Sequence, residues 1–206
     1  MMTGSVVHVI DDDSAMRDSL AFLLGSAGFL VQTFDSAEAF LRNLPAVGAG
    51  CVVSDIRMPG VDGLELLNRL HRSGHVFPVI IMTGHGDVPL AVKAMKLGAI
   101  DFIEKPFDDE TLIRAVRLAL SASPPKPFVA EEIDAELATR LASLSQRERQ
   151  VLRGLVEGQT NKEIAREFEL SPRTVEVYRA KLMTKMKATS ISELVRFALR
   201  AGLAGS

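Results

Sequence analysis

The chain has 206 residues, 47% of them hydrophobic and 24% charged, which is the ordinary composition of a soluble globular protein of one or two domains. No apolar run approaches a membrane span and no charged-then-apolar leader opens the chain; a lone Cys51 permits no internal disulfide, and His8, His71, His75 and His85 show no paired metal spacing. A cytoplasmic location without membrane contact is expected and a zinc site is not. The net charge of −2 hides an asymmetry: residues 1–123 carry 10 basic and 15 acidic side chains (−5), residues 145–206 carry 12 and 7 (+5), suggesting two modules, the second a partner for nucleic acid.

Val6–Ile10 is a β-branched run that stops at Asp11-Asp12-Asp13. Ser14 can cap a helix with Met16, Leu20, Leu23 and Leu24 at helical spacing, ended by Gly28. Phe29–Phe34 reads as a second strand, and Ser36 caps a short helix to Leu44. Cys51–Asp55 is a third strand closed by an aspartate and followed by a turn at Pro59-Gly60. A helix from about Asp62 places Leu64, Leu67 and Leu70 on one face. Pro78–Thr83 is continuously apolar, as expected for a strand covered on both sides. A helix over about Val88–Leu97, a strand at Ile100–Glu104 and a helix over about Asp109–Ala122 complete five strand–helix alternations. Alternation of this kind requires helical crossovers and predicts a doubly wound parallel sheet.

An Asp closing a strand is, taken alone, most often a cap or turn former. Here Asp11-Asp12, Asp55, Thr83 and Lys105 all fall at or just past strand ends, which such a sheet brings together. Three crowded carboxylates repel, and a hard divalent cation such as magnesium relieves that cost. A metal-neutralised carboxylate is a competent nucleophile toward a phosphoryl group, with the Lys105 ammonium and the Thr83 hydroxyl available to its oxygens. Pro106 biases Lys105 toward extended backbone.

Asp11-Asp12, Asp55-Ile56-Arg57-Met58-Pro59, Thr83-Gly84 and Lys105-Pro106-Phe107 resemble the bacterial response-regulator receiver domain over residues 4–122. The resemblance implies a flavodoxin-like (βα)5 receiver. In it Asp55 accepts phosphate from a sensor histidine kinase, Asp11, Asp12, Asp55 and the Arg57 carbonyl hold Mg2+, and Thr83 and Lys105 bind the phosphoryl oxygens. Phe102, plain core by composition, falls at the family's switch-aromatic position, so that Thr83 and Phe102 form the implied switch. The implied dimer forms on phosphorylation; Val92 and Lys96 are guesses for its face. A loop His85 is read as a surface residue in preference to a general base.

Ser121–Pro127, with three prolines in four residues, breaks the composition and reads as a semi-rigid spacer. A linker is expected over residues 123–139. Ile133, Leu137 and Leu141 then recur every four residues in an amphipathic helix that could serve as linker, core or docking face. Ser145/Glu148, Thr160/Glu163 and Ser190/Glu193 fit capping boxes, and Ser171-Pro172 offers an N-cap with proline at the first helical position. These starts predict helices near 146–156, 161–168, 172–187 and 191–201. The middle pair has helix-turn-helix lengths, and its second helix carries Arg173, Arg179, Lys181, Lys185 and Lys187 against one acid, Glu176.

Leu144–Glu148, Gly158–Ala165 and Ser171–Glu176 resemble the LuxR-type helix-turn-helix over residues 140–206. The likeness implies that residues 172–187 enter the major groove. Thr174, Glu176, Val177, Ala180 and Lys181 become base readers, and Asn161, Lys162, Arg173, Arg179 and Lys185 phosphate contacts. Tyr178 stands where many members have His, and Glu176 where some have a basic residue. The two modules together resemble two-component activators of nitrogen-fixation genes. The implied partners are a sensor histidine kinase, promoter DNA, RNA polymerase and a second copy of the chain, with no organic cofactor and no enzymatic turnover beyond its own phosphoryl chemistry. Two alternatives are weighed: a magnesium-dependent phosphohydrolase with an aspartate nucleophile, and a flavin- or nucleotide-binding module, disfavoured because no glycine-rich loop follows the first strand.

Overall fold

The computed structural model describes residues 6–84, 88–121 and 135–203. His85, Ile133 and the proline-rich stretch 124–127 lie outside the described residues. By Cα proximity the chain forms two compact units, residues 1–85 with 97–126 and residues 86–96 with 127–206.

The α/β elements follow in chain order as β1 (Val6–Ile10), α1 (Ser14–Ser26), β2 (Leu30–Phe34), α2 (Ala37–Asn43), a 3-10 turn (Leu44–Ala46), β3 (Gly50–Asp55), α3 (Gly63–Arg72), β4 (Val79–Thr83), α4 (Val88–Lys96), β5 (Asp101–Glu104) and α5 (Asp109–Ser121). All strand pairs are parallel, in the order β2-β1-β3-β4-β5. Every residue of β4 is buried, which is why its sequence shows no alternation. The edge strand β2 has no fully buried residue.

Alternation along the strands sorts the two faces of the sheet. Val7, Val9, Cys51, Val53, Ile80, Met82 and Ile103 share one core with Leu20 and Leu24 of α1 and Leu112 and Val116 of α5. His8 points the other way into an aromatic cluster, its ring 5.6 to 6.3 Å from those of Phe34, Phe40 and Phe77.

Two expected caps are corrected. Ser14 is the first residue of α1, and the cap is Asp13, whose carboxylate accepts the Ala15 amide at 2.9 Å from extended backbone. Ser190 does cap its helix, but the Glu193 carboxylate turns to the Thr189 amide and hydroxyl at 2.7 and 2.9 Å, so the reciprocal half of that box is absent.

Besides α4, the helical unit contains α6 (Ala135–Ala142), α7 (Gln146–Val156), α8 (Asn161–Glu167), α9 (Pro172–Met186) and α10 (Ile191–Arg200). Complete capping boxes start α7 and α8, and Ser171 with Pro172 starts α9. Val151, Leu155, Ile164, Val175, Leu182, Met186 and Leu194 form one core. Leu137 of α6 is buried in it, so this helix, which spans the expected linker boundary, is part of the helical core.

His8 gives the first unit a predictable acid sensitivity. Burial pushes its pKa below the ordinary 6.5, only partly offset by its hydrogen bond to the Gly48 carbonyl. The folded chain therefore binds this proton less well than the unfolded one. Its contribution to stability is complete above about pH 6.5 and falls as the pH drops from there toward the depressed folded value, by at most about 1.4 kcal/mol per pH unit. Denaturant melts between pH 7.5 and 5.5 are expected to show this slope in the wild type and a shallower one in His8→Gln; identical slopes would remove His8 as the cause.

Candidate functional site

β1 and β3 are neighbours, and their register aligns Ile10 with Ser54. Asp11 and Asp55, each one residue further, therefore face each other where the strand order reverses, the crevice that open parallel sheets use for ligands. Asp55 aligns with Met82, and Thr83 with Glu104, which brings Thr83 and Lys105 to the same rim.

The Lys105 ammonium lies 2.6 Å from Asp55 Oδ1 and 3.0 Å from Asp11 Oδ2. The remaining oxygens are also engaged: Asp55 Oδ2 accepts the Arg57 amide at 2.7 Å and Asp11 Oδ1 the Asp13 amide at 2.9 Å. The expected repulsion among three carboxylates is thus relieved in the chain itself. A fixed cation sits between two of them, and the third, Asp12, is exposed. Burial lifts the Asp55 carboxyl above the ordinary range against the pull of Lys105. Burial also opposes the Lys105 charge, but Asp55 and Asp11 outweigh it and hold its pKa above the usual lysine value.

Thr83 is buried, its hydroxyl donating to the Gly84 carbonyl at 3.3 Å and its own carbonyl accepting the Lys105 amide at 2.7 Å. Phe102 is buried in β5, paired with Ile81. On α4, Val92 is buried and Lys96 exposed.

Among the described residues no group of three or more His, Cys, Asp or Glu forms a chelating cluster. The side-chain donors at this rim, the buried Asp11 and Asp55 carboxylates, are hard oxygens. They suit a cation that keeps several waters better than one needing a closed cage.

Three residues that shape this rim are not among the expected site residues. Arg17 donates to the main-chain carbonyls of Asp11 and Asp12 at 2.7 and 3.0 Å. A basic side chain at the positive end of a helix is unfavourable without such acceptors, and that misfit was the available signal. Glu38 accepts the Val61 amide at 2.9 Å, anchoring the loop after Asp55 to α2. Gly63 starts α3 against the end of β3, where a Cβ would stand 2.5 Å from the Asp55 carbonyl oxygen and 3.0 Å from Ile56 Cα. Gly63→Ala is expected to displace this backbone, cost about 1–3 kcal/mol and slow labelling by acetyl phosphate about tenfold. A labelling rate equal to wild type would show that the close approach does not matter.

In the helical unit α8 and α9 are joined by a short turn in which Glu169 takes φ 55°. On α9, Arg173, Glu176, Val177, Ala180 and Lys181 are exposed at three- and four-residue spacing and so form one stripe. Thr174 is half-buried, its hydroxyl 2.7 Å from Ser171 Oγ. Val177, a large apolar side chain, remains 49% exposed. Lys181 lies over the Tyr178 ring. Lys162 is exposed on α8, and Arg179 bonds Asn161 at 2.8 Å, linking the two helices. The Lys185 ammonium lies 2.8 Å from Glu148, whose carboxylate is buried and also accepts the Ser145 amide at 2.7 Å. The Lys185 ammonium, helped by the Ser145 amide, holds the Glu148 carboxyl below the ordinary range.

Residues 7–117 match the response regulator receiver domain, and residues 142–198 the luxR family of bacterial regulatory proteins. The transcriptional regulatory protein FixJ of Bradyrhizobium diazoefficiens is 59% identical over 98% of both chains, and FixJ of Rhizobium meliloti 49% over 100% of both. The response regulator TodT of Pseudomonas putida is 42% identical over 94% of this chain and 85% of its own. Among solved structures, full-length FixJ from B. japonicum is similar with a TM-score of 0.54 and 58% identity, covering 99% of this chain and 100% of that one.

Proposed function

The chain belongs to the response regulators that join a receiver domain to a luxR-family DNA-binding domain, and from that premise we propose that Asp55 is the phosphoacceptor whose modification controls promoter binding by α9. The observation that carries the proposal is the Lys105 bridge between Asp11 and Asp55 at the switch point of the sheet. An Asp55 carboxylate oxygen attacks phosphorus, the bond to the donor nitrogen of a kinase phosphohistidine breaks, and the imidazole leaves with the electron pair. Lys105 then offers its ammonium to the phosphoryl oxygens, and the Thr83 hydroxyl leaves Gly84 to do the same. Phe102 follows into the space that Thr83 vacates, which transmits a local change of charge to the surface near β5.

Asp11, Asp12, Asp55 and the Arg57 carbonyl are the residues that would hold magnesium, which supplies charge neutralisation for the transferring group. Phosphorylation shifts an existing equilibrium toward a dimer competent to bind DNA and to meet RNA polymerase. A two-fold dimer suits an approximately two-fold operator. The similarity to FixJ proteins supports nitrogen-fixation promoters as targets and a sensor histidine kinase as donor. No described helix is long and apolar enough to cross a membrane.

DNA binding across a genomic library, with and without acetyl phosphate and magnesium, tests this reading. Enrichment of one set of promoters only after phosphorylation supports it, and equal enrichment in both samples overturns it.

A further inference from the structure

The first helix of the helical unit, α6, is tied to the carboxyl end of α9 by polar contacts that the exposed stripe does not use. Arg140 on α6 donates from Nη1 to the Met186 carbonyl at 3.0 Å, while its Nη2 lies 2.6 Å from Glu136 Oε1. The same Glu136 oxygen accepts from Lys187 Nζ at 3.2 Å, so one carboxylate on α6 serves an arginine of its own helix and a lysine just past α9.

Met186 is the last residue of α9, and Lys187 follows in the left-handed region at φ 52°, its amide turned back to the Met183 and Thr184 carbonyls. The Met186 carbonyl is thus one of the acceptors that a helix end leaves unpaired. A guanidinium placed there both satisfies it and complements the negative end of the helix dipole. The apolar side agrees, since Leu137 of α6 is buried in the core that holds Leu182 and Met186. A second tie, Lys185 to Glu148 at 2.8 Å, fixes the same turn of α9 to α7.

We propose that Arg140 is a positioning residue for DNA reading: it holds the recognition helix by the carbonyl at its carboxyl end and makes α6 a fifth helix of the DNA-binding body. The inference rests on α9 being the helix that enters the groove. Arg140 touches no phosphate in this scheme; it acts through the orientation of α9.

The full chain, phosphorylated with acetyl phosphate and magnesium, is titrated at several salt concentrations with a duplex that the wild-type chain selects from a randomised library. Arg140→Met is expected to weaken binding about tenfold, the order for loss of one charge-assisted hydrogen bond. The slope of log affinity against log salt stays unchanged, because no counterion-releasing contact is lost. Arg140→Lys, which keeps a charged donor, recovers much of the affinity. Glu136→Ala, at a surface position outside the core, weakens binding less at the same slope and carries the test should Arg140→Met fail to fold.

Unchanged affinity in a folded Arg140→Met chain, or in Glu136→Ala where Arg140→Met does not fold, overturns the proposal. So does a loss accompanied by a shallower slope, which would make Arg140 a phosphate contact. Lys162→Ala and Arg173→Ala serve as controls: if neither flattens the slope, the placement of α9 in the groove is what has failed.

Discussion

Asp55→Asn is expected to reduce phosphorylation by acetyl phosphate to background and to hold DNA affinity at the level of the untreated chain. The substitution keeps the size of the side chain and an acceptor for the Lys105 ammonium, which now lies 2.6 Å from the carboxylate. It removes the nucleophilic charge, without which no acyl phosphate forms. The fold should persist, because Lys105 retains Asp11 at 3.0 Å. Intact-mass spectrometry after incubation with acetyl phosphate and magnesium provides the readout. The wild type should gain one phosphoryl group per chain, and the variant none. The same assay separates the switch from a phosphohydrolase: rapid multiple turnover of an external phosphoester by the wild type, lost in the variant, would favour the enzyme.

The second large effect concerns α9 and divides residues by what they contact. Arg173→Ala and Lys162→Ala, at exposed positions in the first turns of α9 and α8, should weaken binding to all sequences alike. Each should reduce the salt slope by about 0.9, the signature of one lost phosphate contact. Lys181→Ala, inside the exposed stripe, should cost about 1–3 kcal/mol with the preferred duplex and relax the preference at one base pair. Lys185→Ala should follow neither pattern. Its ammonium is engaged by the buried Glu148 carboxylate, so its removal should lower the melting temperature and leave the slope intact. Should Lys185→Ala instead flatten the slope with no loss of stability, Lys185 is a phosphate contact as the family pattern implies.

The sequence by itself determined the order of strands and helices, the ends of most of them and the residues at the carboxyl rim of the sheet. It could do so because those features depend on local patterns: apolar periodicity, capping side chains, and the rule that parallel strands deliver their ends to one side. Asp11, Asp55, Thr83 and Lys105 were legible for that reason.

Only the tertiary structure decided how those groups neutralise one another. Lys105 is 50 residues from Asp55 and 94 from Asp11 along the chain, and no local pattern encodes which oxygen it meets. The same holds for Glu38 and Gly63, whose partners are backbone atoms brought close by folding. It holds again for Lys185 and Arg140, which composition shows only as two more positive charges in a basic module. A side chain's charge is written in its residue type, but whether that charge faces a phosphate, a buried acid or a helix end is set by the distant segments that pack around it.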